Sequence, residues 1–386
     1  MRLAVYILYM LLTGIQSWYA SKKGWLKTAK GKGWYVAICC AEMVLLAALR
    51  GNTIGADTAR YVEALDYYSK LPKDEVVFAE LVWPFDFEKG YLLLTQLCAL
   101  INMPAPIFLL LVALVIYVPI FYTIYRYSKA PYISILAFIG LGFFTYSLGI
   151  FRQMMAMSIV LCGVRFIEQK QYSKYLALIV FAFTIHTTAI IMVPLYFLAQ
   201  IPVEKYWKWV IPAEMACLAF GRPIVELVVT AMPQYSNYLG GRYDVQGGTY
   251  LMLILLNVLL AAMLYLYYKG FTKNLVVISA LALAVVVQAL GYSMAIFGRI
   301  VTYLSIFAIF AFSEIAYVML NEPALYGKTF GGFLERKDWC IARIGKCKIS
   351  LRVILWVIFA VGLWAFAFKD LAGNEYVTPY TFFFMQ

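Results

Sequence analysis

Charge is scarce in this chain. Of 386 residues only 13% are Asp, Glu, Lys or Arg, against 64% that are hydrophobic. A soluble domain of this length has no way to hide so much apolar surface, so the solvent for most of the chain is lipid. Histidine is scarcer still, since His186 is the only one, and a multi-histidine metal site is thereby excluded. Cysteine is present seven times, mostly inside or beside apolar runs, while Cys340 and Cys347 fall in a basic loop. Neither a disulfide framework nor a zinc site is indicated. Short alternating segments are missing, which argues against a β-barrel. There is no internal repeat of the kind many transporters carry, and no linker that would divide the chain. Residues 1–20 lack a small-residue cleavage site and read as a spanning segment rather than a removable signal peptide.

What is abundant is apolar sequence in runs near the spanning length of about 20 residues. Such runs occur at 3–20, 34–49, 105–125, 131–149, 150–168, 207–220, 249–268, 275–296, 299–320 and 350–368. The fold class is therefore all-α, a polytopic integral membrane protein with about ten transmembrane helices plus re-entrant or short segments. The net charge of +12 is a topology signal, because the lysines and arginines cluster in short loops. "SKKGWLKTAKGKG" at 21–33 has no acid and reads as cytoplasmic, as do 125–129, 165–174, 267–273 and the long loop that follows 320. The tail 369–386 is then outside. The whole chain 1–386 reads as a single membrane domain. It has outer-face loops at 50–90 and 221–248 and a basic cytoplasmic loop at 321–349. Two segments do not fit simple spans. Residues 91–103 are too short. Residues 174–200 are flanked by Lys174 on one side and by Lys205 and Lys208 on the other, which predicts a re-entrant hairpin with "TIHTT" at its tip.

Sorting charges by side is the informative step. The outer face collects Arg50, Asp57, Arg60, Glu63, Asp66, Asp86 and Glu88 in one loop, and Arg222, Arg242 and Asp244 in the other. Arg152 and Arg299 enter the membrane from that same face, each after a glycine and each in the expected first turn of an apolar helix. A helix N-terminus already favours an anion, and a guanidinium adds a planar fork suited to phosphate. Tyr303, four residues after Arg299, falls on the same helix face. The plainer alternative is snorkelling of both arginines to the headgroups.

His186 interrupts an apolar run among Thr184, Thr187 and Thr188. It reads either as a proton acceptor or as a residue tying the hairpin to backbone carbonyls. In "RGNTIGADTARY", 50–61, Asp57 and Thr58 can cap a helix, or Arg50, Asp57 and Arg60 can hold a polar substrate. With 31 Tyr and 27 Phe the chain has aromatic rings to spare, for interface belts or for stacking on sugars.

The succession "RGNTIGADTARY", "FEKGY", "FRQMMAMSIVLCG", "IHTTAIIMVPLYFL", "GRIVTY" and "TPYTFFF" resembles the EpsG branch of the Wzy-type polysaccharide polymerases. The resemblance runs through nearly the whole chain. It departs from the family pattern in Thr187 and Thr188, where small residues or Ser are more usual, and in the long 321–349 loop. It implies a GT-C-like architecture, shared with the O-antigen ligases. It implies an enzyme that joins oligosaccharide repeat units on the outer face of a bacterial plasma membrane, for capsule, exopolysaccharide or O-antigen. Donor and acceptor would both ride on undecaprenyl pyrophosphate, with the bilayer and a separate chain-length regulator as partners and no nucleic acid.

The catalytic candidates are Arg152 and Arg299, for the leaving pyrophosphate, and His186 as base. The substrate-binding candidates are Arg50, Asp57, Arg60, Glu88, Gln153, Arg242, Asp244 and Tyr303. Asp57 and Glu88 stand behind His186 as alternative bases. No metal or other cofactor is expected, and activity should survive EDTA. An O-antigen-ligase-like transferase and a lipid-linked oligosaccharide flippase stay open as alternatives, the flippase disfavoured by arginines on one face only.

Overall fold

A computed structural model describes residues 4–76, 85–231, 250–294, 296–321, 340–344, 347–350 and 380–382. The apolar runs within them are helical. The strands among the described residues are a short antiparallel pair in the basic loop, Cys340–Ile344 with Cys347–Ser350. Among the described residues four helices are long and apolar enough to cross a membrane: Ala29–Ala48, Ala105–Tyr127, Tyr250–Tyr268 and Phe297–Met319. A fifth is added if Pro131–Gly140 and Phe143–Gly149, bent by 56°, form one span. The run at 350–368 lies outside the described residues.

Two expectations change in detail. The run 150–168 is two short helices, Phe151–Leu161 and Val164–Glu168. Between them Cys162 and Gly163 bond back to Ile159 and Val160, a tightened turn that ends an α-helix. The segment 221–248, expected as a loop, begins as helix, because Val203–Ala231 continues to residue 231, and the rest of it is outside the described residues. That helix kinks at Phe220, between Pro212 and Pro223, since a proline removes an N–H and crowds the turn before it. The helix expected just after Asp57 and Thr58 is present as Thr58–Ser69, and a short helix, Lys73–Val76, follows it.

The chain forms two compact units, each assembled from separate stretches. The first comprises Met1–Tyr67, Asn102–Phe151 and Phe312–Gln386. Its centre is the pairing of Ala29–Ala48 with Ala105–Tyr127. On the first of these helices the buried residues are Tyr35, Val36, Cys39, Met43, Val44, Ala47 and Ala48, a stripe at helical spacing. On the second, Ile107, Leu114, Val118 and Tyr122 are exposed, so both faces are apolar and the outer one suits lipid. Gly55 turns the chain out of this pair with φ +98°, and a Cβ there would run into the Leu148 carbonyl. Only glycine fits. Residues Tyr380–Phe382 lie along the same turn, with Gly51 N–H donating to Thr381 O at 2.7 Å.

The second unit comprises Tyr68–Ile101 and Arg152–Ala311. Leu275–Leu290 is apolar on every side and buried along its length, with Val203–Ala231 and Tyr250–Tyr268 packed against it. Polar ties hold these helices: Asn257 Nδ2 donates to Glu214 Oε1 at 2.9 Å, and Tyr206 and Ser279 share a hydroxyl bond of 2.9 Å. The segment 172–198 doubles back. The helix Tyr172–Ile185 stops at His186, a 3₁₀ turn covers Thr187–Met192, and the helix Val193–Leu198 returns. Tyr172 ends against Tyr196 and Phe197, ring centroids 5.1 and 5.2 Å away, and Tyr175 O–H donates to Met192 O. This is the hairpin read from the sequence, with His186 at its tip.

Candidate functional site

At the hairpin tip three side chains from distant parts of the second unit meet. His186 leaves the helix in an extended conformation, φ −154° and ψ 119°, which turns its ring away from the helical stack. Glu88 occupies the N-cap position of Lys89–Leu100 but spends no side-chain oxygen on the helix. Instead its Oε1 lies 2.6 Å from His186 Nδ1 and accepts the Thr187 N–H at 3.2 Å, while Oε2 is ion-paired with Arg152 Nη1. Arg152 stands in the first turn of Phe151–Leu161, its guanidinium 4.4 Å above the ring of Phe87. All three side chains are about four-fifths buried, with 14% of Glu88, 18% of Arg152 and 21% of His186 exposed.

Gly90 allows this approach. A Cβ at that position would strike the Thr184 carbonyl and hydroxyl, so the start of the helix sits directly on the hairpin.

Burial raises the Glu88 carboxyl's pKa, but the hydrogen bond and charge of His186 and the charge of Arg152 outweigh it and hold the pKa at about 2. Glu88 is thus a carboxylate at neutral pH. An ionised carboxylate only accepts, so His186 must carry its proton on Nδ1 in this pair. That leaves Nε2, which has no hydrogen-bond partner among the described residues, as the ring atom for chemistry. In its neutral form, with the proton on Nδ1, the ring so oriented keeps its Nε2 lone pair available, beside a guanidinium. Among the described residues no three His, Cys, Asp or Glu side chains come together as a metal site requires.

The other candidates divide clearly. Gln153 is buried and donates from Nε2 to the Arg299 carbonyl at 2.5 Å, which ties the two arginine-bearing helix starts together through backbone. Thr302 Oγ1 donates to the same carbonyl at 2.6 Å. The Arg299 side chain itself is exposed, whereas Tyr303 is fully buried and receives a 3.4 Å hydroxyl contact from Thr188. The two therefore differ in exposure. They lie on consecutive short helices, Ile296–Ile300 and Thr302–Ser305, joined at Val301, whose N–H donates to Phe297 O at 2.9 Å.

Arg50, Asp57 and Arg60 belong to the first unit. There Thr58 heads its helix, but its hydroxyl donates to the carbonyls of Ile54 and Leu148, so it is not the expected cap. Arg242 and Asp244 lie outside the described residues.

Sequence reasoning singled out Arg152 and His186 but missed that Glu88 joins them. It also missed Phe87 and the Thr187 amide. Contacts across 64 and 98 residues leave no local pattern to read. The one available signal was an acid held between aromatics in "FDFEKGY".

A family model described as the EpsG family matches residues 33–324, a span that includes Glu88, Arg152, His186 and Arg299. No curated protein and no solved structure matches the chain.

Proposed function

The chain belongs to the EpsG family, and from that premise we propose that it is a polysaccharide polymerase acting on lipid-linked repeat units. In this reading it crosses a bacterial plasma membrane about ten times in a GT-C-like arrangement, with its site on the outer face. Donor and acceptor oligosaccharides are both carried on undecaprenyl pyrophosphate. The observation that carries the reading is the carboxylate of Glu88 shared between His186 Nδ1 and Arg152. It supports a base whose tautomer is fixed, next to a cation suited to a phosphate.

The chemistry follows from these groups. A hydroxyl of the acceptor sugar attacks the donor's anomeric carbon, and its proton passes to His186 Nε2. The bond from that carbon to the pyrophosphate oxygen breaks, and the lipid pyrophosphate leaves with the electron pair. A guanidinium has five N–H donors and can hold a carboxylate on one edge and a phosphate on another. Arg152 therefore serves twice, orienting Glu88 and stabilising the departing charge. Arg299, exposed at the neighbouring helix start, is the second phosphate contact. Pyrophosphate is already a good leaving group, so positioning and charge stabilisation carry most of the rate. No step requires a metal ion.

Deletion of the gene in its own host, followed by complementation, tests the reaction. Loss of the protein should leave single repeat units on the surface glycan, and wild type should restore a ladder of lengths on a gel. Arg152→Ala should not restore it, since the loss of one such charge contact is about 3–4 kcal/mol of transition-state stabilisation. Polymer accumulating on its lipid carrier would instead make the protein a ligase, and absence of any repeat unit outside would make it a transporter.

A further inference from the structure

Arg50 takes no part in the site described above, yet its burial needs an explanation. It follows the helix Ala29–Ala48 in the first unit and is only 1% exposed. Its Nη1 donates to the Ala47 carbonyl, and its plane lies 4.5 Å from the ring of Phe151. The plain reading is a helix C-cap, because a cation suits the negative end of a helix and its orphan carbonyls. That accounts for one nitrogen and one face. Nε and Nη2 are buried with no hydrogen-bond partner among the described residues, and among those residues no carboxylate lies within ion-pair distance. These two nitrogens share one edge of the guanidinium, the edge that binds two oxygens of a single carboxylate or phosphate side by side. Burial of a cation with that edge unsatisfied is unfavourable unless an anion completes it.

The surroundings fit an oxyanion. The titratable neighbours of Arg50 are the neutral phenols of Tyr6, Tyr117 and Tyr380, whose hydroxyls can donate to an oxyanion but supply no counter-charge. Above it runs Tyr380–Phe382, where Phe382 pairs with Arg50 as an isolated bridge, Thr381 O accepts the Gly51 N–H, and Tyr380 O–H donates to Leu46 O. The tail segment covers the arginine by backbone bonds to the turn and leaves the Nε/Nη2 edge unused.

We propose that the Nε/Nη2 edge of Arg50 is an oxyanion site built wholly within the first unit and covered by the Tyr380–Phe382 strap. It takes a phosphate or carboxylate group, carried either by a prenyl pyrophosphate or by an acidic sugar. The site stands whatever reaction occurs at Glu88 and His186.

The test uses the full chain in lipid nanodiscs, with Arg152→Gln and Arg299→Gln introduced so that the other candidate phosphate contacts are silent. Binding of inorganic pyrophosphate, farnesyl pyrophosphate and glucuronate is measured by calorimetry, with and without Arg50→Gln. At least one probe should bind, and Arg50→Gln should weaken it by about tenfold or more. Arg50→Lys should fall between, because it keeps the charge and loses the fork. Preference for farnesyl over inorganic pyrophosphate assigns the lipid carrier as source, preference for glucuronate assigns an acidic glycan, and equal binding of both pyrophosphates assigns free phosphate. If the Arg50 variants fail to fold, hydrogen–deuterium exchange of the unaltered protein decides. A bound probe should slow exchange in peptides covering 47–54 and 380–382. Binding that Arg50→Gln leaves unchanged, no binding of any probe, or unmoved exchange at these peptides would overturn the proposal.

Discussion

At Glu88 one carboxylate is shared between an imidazole, a guanidinium and a backbone amide, and its ionisation is tied to all three. Its pKa of about 2 lies below the ordinary 4.5, so on acidification the unfolded chain takes up this proton before the folded one does. The sign follows: the stabilisation is whole above about pH 4.5 and is lost as pH falls toward 2. Thermal unfolding of wild type and Glu88→Gln across that window should therefore show a stability gap at pH 6 that closes on acidification. A gap that stays constant would mean that the pair does not form. Arg152 and His186 were legible as single residues because each interrupts an apolar run, where an ionisable group is costly. The link through Glu88 was not legible, nor was the contrast between buried Arg50 and exposed Arg60, since both depend on what packs against them.

Among the elements, the hairpin 172–198 was the most readable irregular feature. Its basic flanks asked for a return to one side, and the polar "TIHTT" marked where the helix would stop. The break of 150–168 into two helices was not readable, because its composition is uniformly apolar across the turn at Cys162 and Gly163. The contact of Lys89–Leu100 with the hairpin depends on Gly90. Gly90→Ala should push the helix start off Thr184, cost about 1–3 kcal/mol of stability and separate Glu88 from His186. Polymerising activity should then fall as it does in Glu88→Gln. Gly14→Ala is the control, since an added Cβ there meets nothing within 4 Å. Equal activity of both glycine variants and wild type would show that the close approach is not needed.

For the whole molecule, composition alone established a membrane protein, and the helices with apolar exposed faces agree with it. The division into two units was hidden, because each interleaves stretches far apart in the chain. Sidedness rests on the lysine-rich loop 21–33 and the acid-containing loop after Arg50. In a background without native cysteines, Ala56→Cys should react with a membrane-impermeant maleimide on intact cells. Lys27→Cys should react only after permeabilisation, and the reverse pattern would put the loop after Arg50 on the cytoplasmic side.

The central claim is that Glu88-oriented His186 is the base for glycan extension. It is tested most directly by supplying purified full-length protein with lipid-linked repeat units and resolving product length. Wild type should build a ladder, His186→Gln should slow extension by about 10²–10⁴-fold, and Glu88→Gln should lower kcat with little change in KM. A ladder from His186→Gln that grows as fast as that of wild type would contradict the account.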